Sequence, residues 1–321
     1  MKVAIIGGGG FLGQKLAKSL AAKGELNGTE ISAMSLADIV APGTIEAGFS
    51  VETVQMDITD RSAVDRVVGD AGVIYHLAAI VSAQAEAEFD LGLEINLMGS
   101  LNVFQAARAL GTNPVLVYTS SCAVYGGEIP DPIRDGVELN PQTSYGSQKA
   151  AAELILTDMS RKGFVDGRGL RLPTISIRPG KPNKASTGFM SSIFREPMQG
   201  MASNCPVGRD FPIWHCAPRT MVANLVHAAE VPAEDWGKNR CLATPGVTST
   251  IGEMIDAMTR VAGPKPETLI TWEKDEWIEG IVRQFTSAVI PEKALRLGFH
   301  KDDSFEDSVR YFLEDDIQRP G

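Results

Sequence analysis

Apolar residues in the first half of the chain recur with two different periods, and stretches with one period alternate with stretches of the other. The run KVAII at residues 2–6 is apolar for the length of one strand. FLGQKLAKSLAAKG at 11–24 then has the spacing of an amphipathic helix and ends at a glycine. This alternation continues to about residue 180. Strands and helices that alternate along a chain predict a parallel sheet covered by helices on both faces.

The other elements of this half are predicted from the same two periods. Strands are predicted over EISAMSLAD (30–38), VETVQMD (51–57), GVIYHLAA (72–79), PVLVYTSS (114–121) and LRLPTISIRPG (170–180), and helices over 61–71, from about Asp90 to Leu110, and from near Ser144. The fold class expected is therefore α/β, with a Rossmann-type doubly wound parallel sheet.

Beyond residue 180 the alternation fades into a segment rich in Pro, Gly and Met. We expect one α/β domain at 1–180, with contributions from about 211–246. A smaller, discontinuous C-terminal lobe is expected to take up most of 181–321. One helix there is well marked, because Thr250 and Glu253 have the spacing of a capping box ahead of an apolar run at helical spacing.

Composition excludes several classes of partner. With a net charge of −10, the chain lacks the excess of Lys and Arg that binds a nucleic acid backbone. The four cysteines are scattered, without the spacing of a metal site, so we expect reduced thiols and no metal. No apolar run reaches membrane-spanning length. We expect a cytoplasmic protein with neither a nucleic acid nor a membrane partner.

The first candidate site is the glycine-rich turn after the first predicted strand. Gly7, Gly10 and Gly13 stand at positions one, four and seven of GGGGFLG, directly before a helix. Glycines at these positions permit a tight turn and close approach of a pyrophosphate, and the helix N-terminus, at Phe11 and Leu12, favours its negative charge. An ordinary strand-to-helix turn is the alternative. The strand, turn and helix follow in the order that dinucleotide binding requires, so we expect residues 1–180 to bind a dinucleotide.

Carboxylates end the second and third predicted strands. Asp38 is placed to accept hydrogen bonds from the adenosine ribose and to repel a 2′-phosphate, which favours NAD over NADP as the cofactor. The alternative for Asp38 is a turn-forming residue. Asp57 and Ile58 are suited to the edge and the apolar face of the adenine.

Further along the chain, Ser121 ends a predicted strand, and Tyr145 and Lys149 follow one helical turn apart. With these residues the chain resembles the extended short-chain dehydrogenase/reductase family, which contains sugar-nucleotide epimerases and sugar-acid dehydrogenases. The motifs that carry the resemblance are Gly-x-x-Gly-x-x-Gly at 7–13, YHLAA at 75–79, Asn96, TSSCAVYG at 119–126, Tyr-x-x-x-Lys at 145–149 and the helix after Thr250.

The chemistry of alcohol oxidation explains these residue types. A base must take the hydroxyl proton as hydride leaves carbon, and a free tyrosine, with a pKa near 10, needs a neighbouring cation to act as one. The resemblance implies that Tyr145 is the base, that Lys149 also holds the nicotinamide ribose, and that Ser121 hydrogen-bonds the reacting oxygen. It implies that Asn96 supports the helix and a proton-relay water; a buried polar plug is the alternative for Asn96.

The remaining cofactor contacts are expected by position. Leu77, Ala78 and Ala79 follow the fourth predicted strand and are expected to form a wall of the cofactor site. Pro173 and Ile175 are expected to line the nicotinamide carboxamide. Ser82 is expected to face both cofactor and substrate, although it could also be a helix cap.

The substrate is indicated by the residues after the sixth predicted strand. Nucleotide-sugar enzymes of the family continue this strand as Arg-Tyr-Phe-Asn, whereas this chain has RLPT at 171–174. The loop beyond it, RPGKPNKAST, is basic and rich in hydroxyls, with Arg178 and Asn183 as candidate ligands of a carboxylate and of sugar hydroxyls. A solvated loop whose cations pair with surface carboxylates is the alternative.

This loop and the REP at 195–197 are most similar to those of family members that oxidise C2 of D-erythronate, a four-carbon sugar acid. The resemblance therefore implies NAD-dependent oxidation of a small sugar acid, a substrate-binding C-terminal lobe, and a homodimer through the helices around Asn96 and Lys149. A nucleotide-sugar epimerase or dehydratase that uses bound NAD is one alternative. A non-catalytic dinucleotide sensor is another, against which the intact Ser121, Tyr145 and Lys149 count.

Overall fold

The computed structural model describes residues 1–180, 188–283 and 288–317. Its centre is a seven-stranded sheet. The strands are β1 (Lys2–Ile6), β2 (Ala33–Asp38), β3 (Ser50–Gln55), β4 (Val73–His76), β5 (Val115–Ser121), β6 (Asp166–Leu172) and β7 (Cys241–Ala243). They lie in the order β7-β6-β5-β4-β1-β2-β3, and every neighbouring pair is parallel. The predicted Rossmann-type fold class is confirmed.

The longer helices are α1 (Phe11–Lys23), α2 (Arg61–Val68), α3 (Ser100–Ala109), α4 (Ser144–Arg161), α5 (Phe189–Met198), α6 (Pro218–Glu230), α7 (Ile251–Ala262), α8 (Glu276–Val282) and α9 (Phe305–Asp315). Short helical segments lie at Ser82–Ala87, Phe89–Gly92, Leu93–Gly99, Cys122–Val124, Ala233–Trp236, Pro266–Leu269 and Glu292–Arg296. Short strands lie at Glu25–Leu26, Thr29–Glu30, Ile133–Arg134, Thr174–Ile175, Ser203–Asn204, Pro212–Cys216, Val247–Thr250, Ile270–Thr271 and Val289–Ile290.

The inner strands of the sheet are buried on both faces, which explains the uninterrupted apolar run of β1, whereas the edge strand β3 is largely exposed. Successive side chains of a strand point to opposite faces. In β1, Val3 and Ile5 pack into the cluster beneath α1 and α6, while Ala4 and Ile6 pack into the cluster beneath α2, α3 and α4.

The predicted strand over 170–180 is wrong in its bounds. β6 begins at Asp166 and ends at Leu172, and Thr174–Ile175 leaves the central sheet to pair in parallel with Pro212–Cys216. Pro173 lies between the two pieces and has no N–H to donate to the ladder, so the strand changes partner there.

The predicted helix over 90–110 is present but irregular. Phe89–Gly92 is α-helical, Leu93–Gly99 is a π-helix, and α3 continues from Ser100. Such π-helical turns widen the helix by one residue and are frequent at functional sites. Asn96 lies inside this turn.

A third apolar cluster lies under α5, α7 and α9. Phe194 and Phe305 lie 4.6 Å apart between ring centroids at its centre. The capping box of Thr250 and Glu253 is confirmed, and Ser304 and Asp307 form a second box that starts α9. β7 returns to the central sheet beside β6. The division of the chain into two domains stays a prediction.

Candidate active site

The glycine-rich turn is sterically closed to side chains, most tightly at Gly7 and Gly13. Gly7 has a φ of +96°, and a Cβ there would lie 2.6 Å from the Ala78 nitrogen. A Cβ at Gly13 would lie 2.2 Å from the Gly7 oxygen. No side chain caps α1 at Gly10, so the first N–H groups of the helix are available to an anion. The turn therefore fits a dinucleotide phosphate.

Asp38 lies beside this turn. Its carboxylate accepts a hydrogen bond from the Gly9 N–H at 3.0 Å and a longer one from the Val40 N–H at 3.3 Å. The side chain thus orders the turn, in addition to the ribose contact that remains predicted for it. Asp57 accepts bonds from the N–H and the hydroxyl of Thr59, at 2.9 and 2.8 Å.

The other predicted cofactor residues lie along the same edge of the sheet. Ile58 is buried and would touch any side chain placed at Gly99. Leu77 and Ala78 both donate their N–H groups to the Ile6 oxygen, at 2.7 and 3.0 Å, which holds this segment against the turn. Ala79 is partly buried. Ser82 is the first residue of the helix Ser82–Ala87.

Ser121 and Tyr145 are brought together by a close contact between α4 and the end of β5. The Ser121 hydroxyl accepts the Ala123 N–H at 3.1 Å, and it lies near enough to the Tyr145 phenol to lower the pKa of that group. A Cβ at Gly146 would lie 2.1 Å from the Ala123 oxygen, so only glycine lets the helix approach this closely. Thr143 caps the helix by accepting the Gly146 N–H at 3.1 Å.

Lys149 lies one turn further along α4, and its side chain is buried. Its ammonium nitrogen donates to the Thr119 oxygen at 2.9 Å and lies 4.7 Å from the Tyr118 ring centroid and 5.7 Å from that of Tyr145. Burial lowers the pKa of Lys149 to about 7, against the opposing effect of the Glu153 carboxylate. A buried lysine with this pKa can change its charge at neutral pH.

Burial raises the pKa of the Tyr145 phenol, as does the nearby Cys122 thiol, while the hydrogen bond with Ser121 acts in the other direction. The sequence predicts that Lys149 lowers this pKa. In the protein alone the rise prevails, because the phenol is desolvated and the lysine beside it is itself easily deprotonated. Tyr145 and Lys149 thus lie on one face of α4, with the lysine nitrogen 5.7 Å from the centroid of the tyrosine ring.

Asn96 is fully buried between the segment after β4 and α4. Its amide oxygen accepts the Ile80 N–H at 2.9 Å, and its amide nitrogen lies 2.9 Å from the Gln148 side chain. These contacts match the helix-supporting part of the prediction and the buried-plug alternative equally. The relay role remains a prediction.

Of the two loop residues predicted to bind substrate, Arg178 lies in the described part of the chain and Asn183 does not. Arg178 is partly buried, its N–H donates to the Ser191 hydroxyl at 3.0 Å, and its guanidinium lies 5.8 Å from the ring centroid of Phe11. Arg178 thus lies against the start of α1. Asn183, with the rest of 181–187, falls outside the described residues. Pro173 is buried and Ile175 partly buried, beside the short strand Pro212–Cys216.

Sequence patterns do not reveal three residues that shape this site. The contact with Ala123 requires glycine at position 146. A glycine in the first turn of a predicted helix is the sequence signal that could have indicated this requirement. Glu153 and Arg171 form a buried ion pair behind Lys149. Glu153 is four residues after Lys149, which places both on one helix face, but no local pattern indicates its partner on β6.

Two classes of feature are absent from the described part of the chain. Over residues 1–180, 188–283 and 288–317, no group of three or more His, Cys, Asp or Glu side chains is arranged to hold a metal ion. Within the same ranges, none of the helices combines the length and the apolar character needed to span a bilayer.

Comparison with known proteins identifies relatives along the whole chain. Residues 3–219 match the model of the NAD dependent epimerase/dehydratase family. The chain is 46% identical over 320 residues to a D-erythronate dehydrogenase of Cupriavidus necator, covering 98% of each protein. It is 40% identical over 318 residues to a D-erythronate dehydrogenase of Haemophilus influenzae, covering 99% of this chain and 100% of the relative.

Solved structures agree on the fold but differ in their names. A structure described as a nucleoside-diphosphate-sugar epimerase from Agrobacterium tumefaciens matches with a TM-score of 0.93 and 42% identity, over 98% of this chain and 94% of that one. An L-threonine 3-dehydrogenase from Trypanosoma brucei matches with a TM-score of 0.84 at 23% identity, over 97% and 95% of the two chains, and shows the fold alone.

The family match covers the glycine-rich turn, Asp38, Ser121, Tyr145 and Lys149 in one continuous span. The expected NAD cofactor and the oxidoreductase class are confirmed at the level of the family. The resemblance to extended short-chain dehydrogenases is likewise confirmed, and the chain belongs to the NAD-dependent epimerase/dehydratase family.

Proposed function

We propose that this protein is an NAD-dependent dehydrogenase that oxidises the C2 hydroxyl of D-erythronate to the 2-oxo acid. The observation that carries the proposal is the match to two D-erythronate dehydrogenases, at 46% and 40% identity, over at least 98% of every chain involved. Similarity of this extent includes the substrate lobe as well as the cofactor turn. The strand-end cluster of Ser121, Tyr145 and Lys149 supplies the groups that the reaction needs.

In this mechanism Tyr145 takes the hydroxyl proton of the substrate. Ser121, within hydrogen-bond reach of the phenol, orients the reacting hydroxyl. Bound NAD supplies the hydride acceptor and a positive ring, and the residues that would hold it are the glycine-rich turn, Asp38 and Lys149. The hydroxyl proton leaves with Tyr145, and the C2 hydride leaves with its electron pair, so the carbinol becomes a carbonyl.

Lys149 makes the base available without a net change in protons. A phenolate beside an ammonium holds the same number of protons as a phenol beside an amine, so moving one proton between the two residues creates the base. Because burial brings the pKa of Lys149 to about 7, this one-proton form of the pair is accessible at neutral pH. Thr119 holds the ammonium in place through its carbonyl.

The substrate contacts form part of the same proposal. Arg178 and Asn183 are proposed to bind the carboxylate and the hydroxyls, with Ser82, Ser121 and Tyr145 around C2. Burial lowers the pKa of the partly buried Arg178, and the charge of the buried Arg195, which itself pairs with Glu196, lowers it further. A partly desolvated guanidinium attracts a carboxylate.

A nucleotide-sugar epimerase is the second candidate, favoured by the name of the Agrobacterium tumefaciens structure. In such an enzyme the same residues would oxidise and then re-reduce the sugar, with no net formation of NADH. Thr174 counts against it, since it stands where the epimerases of the family carry an asparagine.

The deciding experiment measures NADH. The protein is incubated with NAD and, in parallel, D-erythronate, other four- to six-carbon sugar acids, and UDP-sugars. We expect continuous formation of NADH with D-erythronate and none with UDP-sugars. Formation of an epimer without NADH would establish the second candidate, and NAD binding without any turnover would favour a sensor.

The homodimer is proposed to form through the helices that carry Asn96 and Lys149. Phe89 is 57% exposed, Met98 53% and Leu154 69%, and all three lie on these helices. Large apolar side chains exposed on neighbouring helices are typical of a protein interface. Light scattering should give twice the mass of the chain, and Leu154→Arg should reduce it to a monomer.

A further inference from the structure

A buried ion pair lies directly behind the lysine of the site. Glu153, which is 2% exposed, holds Arg171 through three hydrogen bonds: Nε to the two carboxylate oxygens at 3.0 and 3.1 Å, and Nη2 to Oε2 at 2.7 Å. Nη1 of Arg171 donates to the Tyr125 hydroxyl at 3.0 Å. Bidentate contacts of this kind fix the position of the carboxylate.

The pair connects the two elements that form the active site. Glu153 lies on α4, which also carries Tyr145 and Lys149. Arg171 lies on β6, where it is aligned with Ser120 on β5, the residue before Ser121. The ion pair therefore joins the helix of the base to the strands beside the substrate-orienting serine.

Glu153 also acts on Lys149 through its charge. Residues four apart on a helix lie on the same face, and both side chains are buried, so water and salt screen their interaction little. The titratable groups facing Lys149 are His76 from β4, Tyr118 from β5, and Tyr145 and Glu153 from α4. Among these described groups, only Glu153 is a carboxylate.

We propose that Glu153, fixed by Arg171, is a positioning residue that keeps Lys149 cationic while Tyr145 acts as the base. The inference rests on the proposed function, because it assigns the lysine charge to the proton transfer. Arg171 holds the carboxylate in place and neutralises part of its charge, so the ammonium is favoured without being fixed permanently. Removal of the Glu153 charge makes the cation less stable, so less of the phenolate–ammonium form is present at pH values above the inflexion.

The test is the pH profile of kcat/KM in Glu153→Gln, which keeps the shape and the hydrogen-bonding oxygen of the side chain. We expect the inflexion near neutral pH to move to lower pH by about one unit and the plateau to fall about tenfold. Asp158→Asn removes the same charge from the exposed end of α4 and should leave the inflexion unchanged. Glu153→Asp, which restores a carboxylate, should restore most of the wild-type inflexion.

A second readout needs no substrate. Between pH 6 and 9, the urea-unfolding free energy of the wild type should begin to rise near pH 7, and that of Glu153→Gln should begin to rise about one unit lower. If no sugar acid is oxidised, the proposed function fails while this titration still tests the inference. Should Glu153→Gln not fold, Glu153→Gln/Arg171→Gln leaves no unpaired buried charge and is measured in its place.

An unchanged inflexion in Glu153→Gln, or an equal shift in Asp158→Asn, would overturn the inference. A lower plateau with no shift in either titration would reduce Glu153 to a purely structural role.

Discussion

Lys149 at the strand-end site and Arg209 in the predicted C-terminal lobe lie in opposite environments. At the site, Lys149 is 1% exposed and its hydrogen-bond partner is a neutral carbonyl. In the lobe, the side chain of Arg209 is 46% exposed and pairs with Asp256 and Glu267, at 2.9 and 3.1 Å. Exposed pairs are screened by water, whereas a buried charge is not. The charge of Lys149 can therefore respond to its neighbours.

A second difference lies within the site itself. Arg171 is partly buried against a carboxylate partner, which raises its pKa over the opposing effect of burial, whereas burial lowers the pKa of Lys149 to about 7. The two cations on adjacent elements thus differ, because one has an ion-pair partner in contact and the other does not. Arg171 keeps a fixed charge, and the proposed role of Lys149 in proton transfer needs a charge that can change.

The largest effect is expected from Tyr145→Phe. Removal of a general base costs on the order of a thousandfold in kcat/KM, about 4 kcal/mol. NADH affinity should change little, since the ring remains. Tyr311→Phe, in the lobe, is the matched control and should leave kcat/KM within about twofold of the wild type. Steady-state kinetics with D-erythronate give both values; a Tyr145→Phe enzyme with near-normal turnover would show that another group is the base.

The buried lysine should make stability depend on pH. The pKa of Lys149 is about 7 in the folded protein and 10.5 in the unfolded chain. Between these values the unfolded state binds more protons, so the free energy of unfolding rises with pH by up to about 1.4 kcal/mol per unit. Over pH 7 to 9 the gain is about 2 kcal/mol, because the lysine is still half protonated in the folded protein at the start of this range.

Urea unfolding at pH 7, 8 and 9 checks this rise. Lys149→Met should be more stable than the wild type at pH 7 and should lack the part of the slope that belongs to the lysine. Parallel slopes in the two proteins would mean that Lys149 does not titrate in this range.

Much of the fold can be predicted from the sequence because its signals are local. β1, β2, β4 and β5 are buried on both faces, so each has an apolar run within a few residues of its observed bounds, whereas the edge strand β3 is largely exposed. The glycine-rich turn and the Thr250 capping box depend on side chains within seven residues of one another. Ser121, Tyr145 and Lys149 are recognisable as candidates for the same reason, since a strand end and one helical turn are enough to mark them.

Features that depend on contacts between distant segments could not be predicted. The π-helical turn around Asn96 has no marker in its sequence, and the pair of Glu153 with Arg171 joins residues 18 positions apart. The end of β6 is different, because Pro173 is a visible signal at which a central strand is expected to stop. Arg178 lies against Phe11 because of the path that the chain takes across α1, and no pattern of apolar residues in the sequence indicates that path.

A smaller effect separates two glycines of the same turn. A Cβ at Gly13 would meet backbone atoms at 2.2 and 2.8 Å, whereas one at Gly10 would meet the Gly7 oxygen at 3.4 Å, an ordinary contact. Gly13→Ala should lower the free energy of unfolding by about 2 kcal/mol and weaken NADH binding. Gly10→Ala should fold as stably as the wild type. Equal stability of the two variants would show that the turn is not held as tightly as the contacts imply.

The smallest effect is expected in the lobe, from Arg209→Met. This change removes both the Asp256 and the Glu267 pair, yet exposed ion pairs contribute at most about 1 kcal/mol because solvent screens them and two side chains must be ordered. Urea unfolding at low salt should show a loss of that size, and about 0.5 M NaCl should remove most of it. A loss as large as that of Gly13→Ala, and unchanged by salt, would mean that solvent does not screen the Arg209 ion pairs. These pairs would then be coupled to the core of the lobe as strongly as Lys149 is coupled to its site.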